Sequence, residues 1–242
     1  MEVNEKSVLL MLSGGKDSFL SACRLIESGH SLHMVTYDNG CGFKTDSARM
    51  VASRIIDRFG KDKAEFLGVK SITGTWRRFF PLIFNEKPSE IARKYGEITY
   101  SQFNCLSCRT TMYTYSITLC KQLGIKFIAE GAREVQAFVI ELKEMIKHYE
   151  ELLERHGIKL ITPVYDLTCN WELKNELMES HFVPKTLEPQ CILGFPLESP
   201  TPDPDVIDGT VKFYVDAMKD KVDSIIDCLC RKILDDKGEL NG

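Results

Sequence analysis

The chain has 242 residues, of which 43% are hydrophobic and 27% charged, and its formal net charge is −4. A chain of this length can bury a sizeable core, and no apolar run reaches the roughly 18 residues that a membrane span requires. The N-terminal residues lack the layout of a secretory signal peptide. We therefore expect a cytoplasmic protein with no membrane partner, whose nine cysteines stay reduced.

Strand and helix signals alternate along the chain, as a parallel sheet requires. Short apolar runs predict strands at residues 8–12, 31–37, 66–69, 126–129 and 158–164. Apolar residues spaced three and four apart predict helices at about residues 17–28, 45–59, 109–123 and 133–156. The pattern predicts an α/β fold, a doubly wound and mostly parallel sheet with helices on both faces and a C-terminal helical appendage.

The chain divides into three segments by composition. Residues 1–195 are predicted to form the α/β domain. It contains an irregular aromatic insertion at about 71–104, which either forms a lid or is a hydrophobic insertion with only a packing role. Prolines and acidic residues at 196–209 predict an extended tether. Residues 210–242 predict a helix that packs either on the domain or on another subunit. In the second case the protein would be a homodimer.

The most informative segment joins the first strand to the first helix. It consists of Ser13, Gly14, Gly15, Lys16, Asp17 and Ser18. Glycines permit a tight turn, and the helix start presents N–H groups and partial positive charge to an anion. The spacing differs from that of a Walker A loop. The segment therefore predicts a phosphate-binding loop, with a plain strand-to-helix turn as the alternative.

This loop is similar to the signature of the PP-loop ATP pyrophosphatases, a superfamily of the adenine nucleotide alpha hydrolase-like (HUP) type. Members bind ATP, transfer adenylate to a substrate oxygen and release pyrophosphate. The resemblance implies that the loop binds ATP with Mg²⁺. It also implies that Lys16 neutralises the leaving pyrophosphate and that Asp17 positions Mg²⁺ or the substrate oxygen.

Two further strand ends are expected at the same edge of the sheet, because parallel strands share one carboxyl edge. By the resemblance, Tyr37, Asp38 and Asn39 lie where the family places groups around the adenosine. Gly131 lets the chain turn beside the nucleotide. Arg133 either clamps a phosphate or lies in a solvent-exposed first helical turn.

A pair of cysteines, Cys105 and Cys108, has the Cys-x-x-Cys spacing of a turn that brings two sulfurs to one metal. Arg109 directly follows and is expected to favour the thiolate form. One branch of the PP-loop family carries such a pair about eighty residues before a third cysteine, which Cys191 matches here. The resemblance implies that Cys105, Cys108 and Cys191 hold a [4Fe–4S] cluster.

The residues alone leave other interpretations of these cysteines open. A Zn²⁺ site completed by His181 or Cys169 is one, a redox-active disulfide is another, and buried inert thiols are a third. Cys41 and four further cysteines are interpreted as packing residues.

The predicted function is that of an ATP-dependent adenylating sulfurtransferase. Its substrate is tRNA, a nucleoside or another small molecule, and its sulfur comes from sulfide or a persulfide carrier. Two alternatives remain at this point. One is an ATP-dependent ligase or amidase that uses ammonia and a structural zinc, and the other is a module that binds adenine nucleotides without turnover.

Overall fold

The computed structural model describes residues 6–43, 46–96, 98–136, 138–180, 190–191 and 203–239. Its strands are β1 (Ser7–Met11), β2 (Ser31–Asp38), β3 (Gly42–Phe43), β4 (Ala64–Ser71), β5 (Phe127–Ala129), β6 (Lys159–Ile161) and β7 (Gln190–Cys191). Its helices are α1 (Lys16–Glu27), α2 (Ser47–Phe59), α3 (Thr73–Trp76), α4 (Pro81–Phe84), α5 (Pro88–Tyr95), α6 (Tyr100–Leu123), α7 (Lys143–Glu154), α8 (Asn170–Glu179), α9 (Pro204–Phe213) and α10 (Lys219–Glu239).

Five strands form one parallel sheet in the order β4-β2-β1-β5-β6. The chain first winds outward from β1 to β4 and then returns to the other side of β1 with β5. The direction of winding therefore reverses between β1 and β5. In sheets of this kind, the crevice outside the carboxyl ends at that reversal is the usual place for a ligand.

The central strand β1 is buried on both faces of the sheet. Val8 and Leu10 pack with α1, α2 and α8, whereas Leu9 and Met11 pack with α6, α7 and the C-terminal helices. All four side chains are at most 4% exposed. The predicted doubly wound fold is thus confirmed, because successive residues of a strand face opposite layers of helices.

Helix α6 begins nine residues earlier than predicted, at Tyr100. Thr99 and Gln102 form a capping box: the Thr99 hydroxyl accepts from the Gln102 N–H, and the Gln102 side chain accepts from the Thr99 N–H. The expected turn at Cys105 and Cys108 is therefore wrong, since both residues lie within a helix.

The helix predicted from residue 133 is also shorter than expected. Residues 134–136 and 139–141 form two single 3₁₀ turns, and α7 begins only at Lys143. The reason is tertiary. Arg133 and Glu141 form buried ion pairs with other elements, and these contacts replace regular helical structure in the intervening chain.

The C-terminal helices belong to the main core. Phe213, Met218, Val222 and Ile226 are buried against the same cluster as α6. Residues 204–209, expected in an extended tether, form the first turns of α9, while residues 192–202 lie outside the described part of the chain. No helix in the described ranges combines the length and the apolar character needed to cross a membrane.

Two short strands form a separate antiparallel pair beside the end of β2. Gly42 of β3 lies opposite Cys191 of β7. This pairing brings Cys191, distant in sequence, to the carboxyl edge of the main sheet.

Candidate functional site

The turn after β1 depends on Gly14, whose φ is +86°. A β-carbon at Gly14 would lie 2.9 Å from the Cα of Ala48 and 3.0 Å from its backbone nitrogen. Any side chain here would therefore strain the backbone and overlap the first turn of α2. Glycine is required at this position for both reasons.

Hydroxyl groups hold the rest of this loop in shape. The Gly15 N–H donates to Ser13 Oγ at 3.2 Å, and Ser18 Oγ donates to the Gly15 carbonyl at 3.1 Å. Gly15 is the N-cap of α1 and supplies no side-chain cap. Because the start of a helix carries partial positive charge, this uncapped turn is suited to an anion supplied from outside the chain.

The end of β5 contacts the same helix start. A β-carbon at Gly131 would lie 2.8 Å from the Ser18 nitrogen and 2.9 Å from the Asp17 carbonyl carbon. The sequence predicted that Gly131 allows a turn. The structure shows that glycine is required there because its backbone contacts the backbone of Asp17 and Ser18. This contact sets the distance between the phosphate loop and the segment after β5.

A cavity of about 390 Å³ opens at this edge of the sheet. Its wall combines the phosphate loop, the end of β2, one face of α6 and the segment after β5. The predicted site residues in the wall are Ser13, Gly15, Asp17, Ser18, Tyr37, Cys105, Cys108, Gly131 and Cys191. Four other predicted residues stand outside the wall, namely Gly14, Lys16, Asp38 and Arg133.

The end of β2 continues into Asn39, which the sequence analysis grouped with Tyr37 and Asp38. Asn39 lines the cavity, where its Nδ2 donates to Cys108 Sγ at 3.3 Å and its Oδ1 accepts from the Cys41 N–H at 2.9 Å. The Tyr37 hydroxyl pairs with Ser116 Oγ at 2.7 Å, and the Asp38 carboxylate accepts from the N–H of Gly40. Tyr37 thus joins the end of β2 to α6, and Asp38 stabilises the turn that follows β2.

A buried network of charges crosses the floor of the cavity. The Arg109 guanidinium donates to Glu130 Oε2 and, at 2.9 Å, to Glu141 Oε1. The Tyr113 hydroxyl donates to the other oxygen of Glu130 at 2.6 Å. Glu130 is 1% exposed. Charged side chains this deep require paired partners, and each carboxylate here has one.

The pKa shifts in this network follow from burial and pairing. Burial raises the pKa of Glu141, and Arg109 offsets part of that rise. Burial lowers the pKa of Arg109, but Glu130 and Glu141 outweigh it and leave that pKa above its ordinary value. Burial and Glu130 raise the pKa of Tyr113 well above its usual range, so its hydroxyl remains a donor.

Arg133 is 4% exposed, so the solvent-exposed alternative is wrong. Its Nε forms an ion pair with Asp17 Oδ1 at 2.6 Å, without the alignment of a hydrogen bond, and its Nη2 donates to Asn170 Oδ1 at 2.9 Å. Gln136 Nε2 donates to the second Asp17 oxygen at 3.1 Å. Arg133 thus orients Asp17, and its role as a phosphate clamp stays a prediction.

The three predicted cysteines share the cavity. Cys105 and Cys108 lie three residues apart on α6 and therefore on one face of the helix, and β7 presents Cys191 to the same space. Within the described ranges, no three or more His, Cys, Asp or Glu side chains are grouped closely enough to hold a metal ion. His181, the alternative zinc ligand, lies outside the described residues.

Burial in the cavity wall raises the pKa of two of these thiols, those of Cys105 and Cys108. Burial, followed by Cys191, raises the pKa of Cys105 to about 11, and burial, Cys191 and Cys105 raise the pKa of Cys108 to about 12. Arg109 lowers both pKa values by less than burial raises them. Arg109 favours the thiolate form as expected, but burial outweighs its charge and leaves both pKa values raised.

A fourth thiol, Cys41, lies beside the other three. It neighbours Gly42, which is paired with Cys191, and Cys191 contributes to raising the Cys41 pKa after burial does. The interpretation of Cys41 as a packing residue is not supported, since its side chain is half-buried next to the cavity.

We expect alkylation of Cys105 and Cys108 by iodoacetamide to be slow at pH 8 and to accelerate steeply toward pH 11. The thiolate is the reactive form, and a raised pKa postpones its appearance to higher pH. Cys169 is exposed and serves as the internal control. Peptide mass spectrometry of the metal-free protein measures each site, and labelling of all three at equal rates at pH 8 would contradict the burial seen here.

Sequence analysis missed Glu130 and Glu141 as parts of one site. Glu130 had a usable signal, because it is the first residue after the buried strand β5 and so stands at the carboxyl edge of the sheet. Glu141 had no such signal, since eleven residues separate it from the end of that strand at Ala129.

Comparison with solved structures identifies the architecture. A 4-thiouridine synthetase, solved as an RNA complex with bound ATP, matches 90% of this chain with a TM-score of 0.57 and 12% sequence identity. This chain shares the α/β fold of that structure. It spans about half of that structure, 53% of its length.

A second solved structure, a predicted tRNA methyltransferase subunit from Methanocaldococcus jannaschii, has 18% identity to this chain. It covers 77% of this chain and 96% of its own, with a TM-score of 0.45. No protein-family model and no curated protein matches the sequence.

Proposed function

We propose that this protein uses ATP to adenylate a carbonyl oxygen of a nucleobase and then replaces that oxygen with sulfur. The observation that carries the proposal is that the phosphate loop and the three cysteines Cys105, Cys108 and Cys191 open on one cavity. Support for ATP and RNA comes from the structural neighbour, a thiouridine synthetase solved with both.

In the first step, the triphosphate rests on the loop from Ser13 to Ser18 with Lys16 beside it. The carbonyl oxygen bonds to the α-phosphorus, the bond to the β-phosphate oxygen breaks, and pyrophosphate leaves. The helix start and Lys16 stabilise the negative charge that moves onto the pyrophosphate. Arg133 and Gln136 hold Asp17 in a fixed orientation toward the cavity.

In the second step, sulfide bonds to the activated carbon and AMP leaves with the original oxygen. No electrons are gained or lost, so sulfide as donor requires no reductant. The buried floor formed by Arg109, Glu130 and Glu141 keeps water from competing for the same carbon, because its polar groups already have protein partners.

The thiols of Cys105, Cys108 and Cys191 face one cavity but are not grouped closely enough to hold a single metal ion, so they suit an iron–sulfur cluster better, since its ligands bind different irons. Cys105, Cys108 and Cys191 would hold a [4Fe–4S] cluster. When bound by three protein thiolates, such a cluster supplies one open iron position for sulfide. For Mg²⁺, both oxygens of Asp17 already face Arg133 and Gln136, so ATP would supply most ligands.

Two substitutions separate the two steps. We expect Lys16→Ala to reduce pyrophosphate release by at least about 100-fold, because it removes charge stabilisation from the leaving group. Cys191→Ala should preserve ATP-dependent pyrophosphate release and abolish sulfur incorporation. Cys230→Ala, on α10, is the matched control and should change neither.

The assay combines the anaerobically purified protein with ATP, sulfide and tRNA from cells that lack the gene, followed by mass spectrometry of nucleosides. A brown protein that absorbs at about 400 nm would support the presence of the iron–sulfur cluster. Colourless protein with bound zinc and no thionucleoside would favour the ligase. Unchanged thiolation by Cys191→Ala would remove the cysteines from the chemistry.

A further inference from the structure

Two large aromatic rings face solvent beside the cavity. Phe84, at the end of α4, is 59% exposed, and Tyr100, at the start of α6, is 61% exposed. Their rings are nearly parallel, with an interplanar angle of 15° and centroids 6.0 Å apart. We call these two residues the aromatic platform. Exposed rings held in parallel offer flat faces to a planar ligand.

The aromatic platform is fixed from beneath by buried rings. Phe80 packs edge-on against Phe84, and it also contacts Trp76 and Phe103. Trp76 is anchored in turn, because its indole N–H donates to Ser107 Oγ at 2.9 Å. The aromatic platform therefore needs little ordering when a ligand stacks on it, which favours binding.

The aromatic platform continues the wall of the cavity outward. Tyr100 lies on the same face of α6 as Asn104 and Cys108, at intervals of four residues, and both of these line the cavity. At 1.5 Å per residue, Tyr100 is about 6 Å along the helix from Asn104 and about 12 Å from Cys108. A chain of nucleotides that enters the cavity would pass the aromatic platform.

Basic residues outnumber acidic ones in the segment that carries Phe84. Residues 73–96 contain two acidic residues, Glu86 and Glu90, and five basic ones, Arg77, Arg78, Lys87, Arg93 and Lys94. Arg77 is exposed, and its charge lowers the pKa of Cys41, so it lies close to the cavity. Aromatic stacking surfaces combined with positive charge are the recognition elements of single-stranded nucleic acids.

We propose that the aromatic platform stacks an unpaired RNA base next to the base whose carbonyl enters the cavity. This inference rests on the proposed function and narrows its substrate class to a single-stranded segment or loop of RNA. A paired helix hides the faces of its bases, so a duplex could not use the aromatic platform. A free nucleoside would have no neighbouring base to stack.

The test measures RNA affinity by fluorescence anisotropy with the full chain. The probes are a short labelled single-stranded RNA of mixed sequence and the same sequence as a duplex. We expect Phe84→Ala and Tyr100→Ala each to weaken single-strand binding about tenfold, since one base stack contributes roughly that factor. Duplex binding, which depends on charge alone, should change less than about twofold.

Matched variants separate stacking from general damage. Phe84→Tyr and Tyr100→Phe keep the rings and should keep the affinity. Trp171→Ala removes another exposed aromatic side chain, on α8 at the opposite face of the sheet, and should have no effect. A fluorescent base analogue, 2-aminopurine, placed in the strand should be quenched by wild type and not by the double alanine variant.

Several results would overturn the inference. Unchanged single-strand affinity in the double alanine variant is one, and thiolation of free nucleosides by a wild type that binds no RNA is another. A change of oligomeric state in the alanine variants, measured by light scattering, would show that the aromatic platform contacts a second copy. In each of these cases the protein would still bind ATP and release pyrophosphate. If the proposed function itself were wrong, ATP binding and pyrophosphate release would be absent.

Discussion

We expect Arg109→Leu to lower the free energy of unfolding by about 3–5 kcal/mol at pH 8, because it leaves two buried carboxylates without their counterion. Glu130 and Glu141 both accept hydrogen bonds from this one guanidinium, and both are buried. Urea unfolding followed by circular dichroism measures the loss. This substitution thus tests whether the charge of Arg109 stabilises the buried carboxylates of Glu130 and Glu141 in the folded protein.

The loss should shrink as the pH falls. Burial raises the pKa of Glu141 above its unfolded value, and removal of Arg109 takes away the largest opposing influence. Above the pKa that Glu141 has in the folded state, its carboxyl group is ionised in both the folded and the unfolded protein. The folded state then carries the full cost of burying that charge. As the pH falls through the folded pKa, the folded state takes up its proton first and the difference from wild type decreases.

The matched control is Arg155→Leu. Arg155 pairs with Asp223 at 2.7 Å, but both side chains are partly exposed, so solvent screens the pair. We expect this substitution to cost at most about 1 kcal/mol and to show little dependence on pH. Equal losses for the two variants would contradict the buried network.

Gly14→Ala is expected to raise the dissociation constant for ATP by at least about 100-fold, equivalent to roughly 2.7 kcal/mol of binding free energy. The new β-carbon would overlap the backbone of Ala48, so the phosphate loop or α2 must move. A positive φ also strains any residue other than glycine. Isothermal titration calorimetry with ATP and Mg²⁺ measures the effect.

Gly29→Ala separates strain from overlap. Gly29 has a similar φ, +95°, but nothing lies within 4 Å of the position that its β-carbon would take. We expect this control to lose about 1 kcal/mol of stability from strain and to bind ATP as wild type does. Wild-type ATP affinity in Gly14→Ala would show that the turn after β1 does not form the phosphate cradle.

The arrangement of the cavity explains why buried charges occur beside it. Glu130 follows β5, Arg109 lies on α6 and Glu141 precedes α7, so one network joins three elements around a single space. Arg133 and Gln136 extend this support to Asp17 at the start of α1. Such pairing fixes side-chain positions at a reaction site, although it adds little net stability.

The sequence by itself determined the parts of this protein that depend on neighbouring residues. The alternation of strands and helices follows from local apolar periodicity, and the structure confirms the doubly wound sheet. The turn from Ser13 to Ser18 was likewise visible, because its glycines and the start of α1 are contiguous in the chain, and its binding of phosphate stays a prediction.

Only the tertiary structure decided what depends on distant residues. It placed Cys191 and Cys41 together through the pairing of β3 with β7, and it assembled Arg109, Glu130 and Glu141 into one network. It also raised the pKa values of Cys105 and Cys108 despite the charge of Arg109, because burial outweighs that charge. Burial and ion pairing are properties of packed elements, so no spacing along the chain encodes them directly.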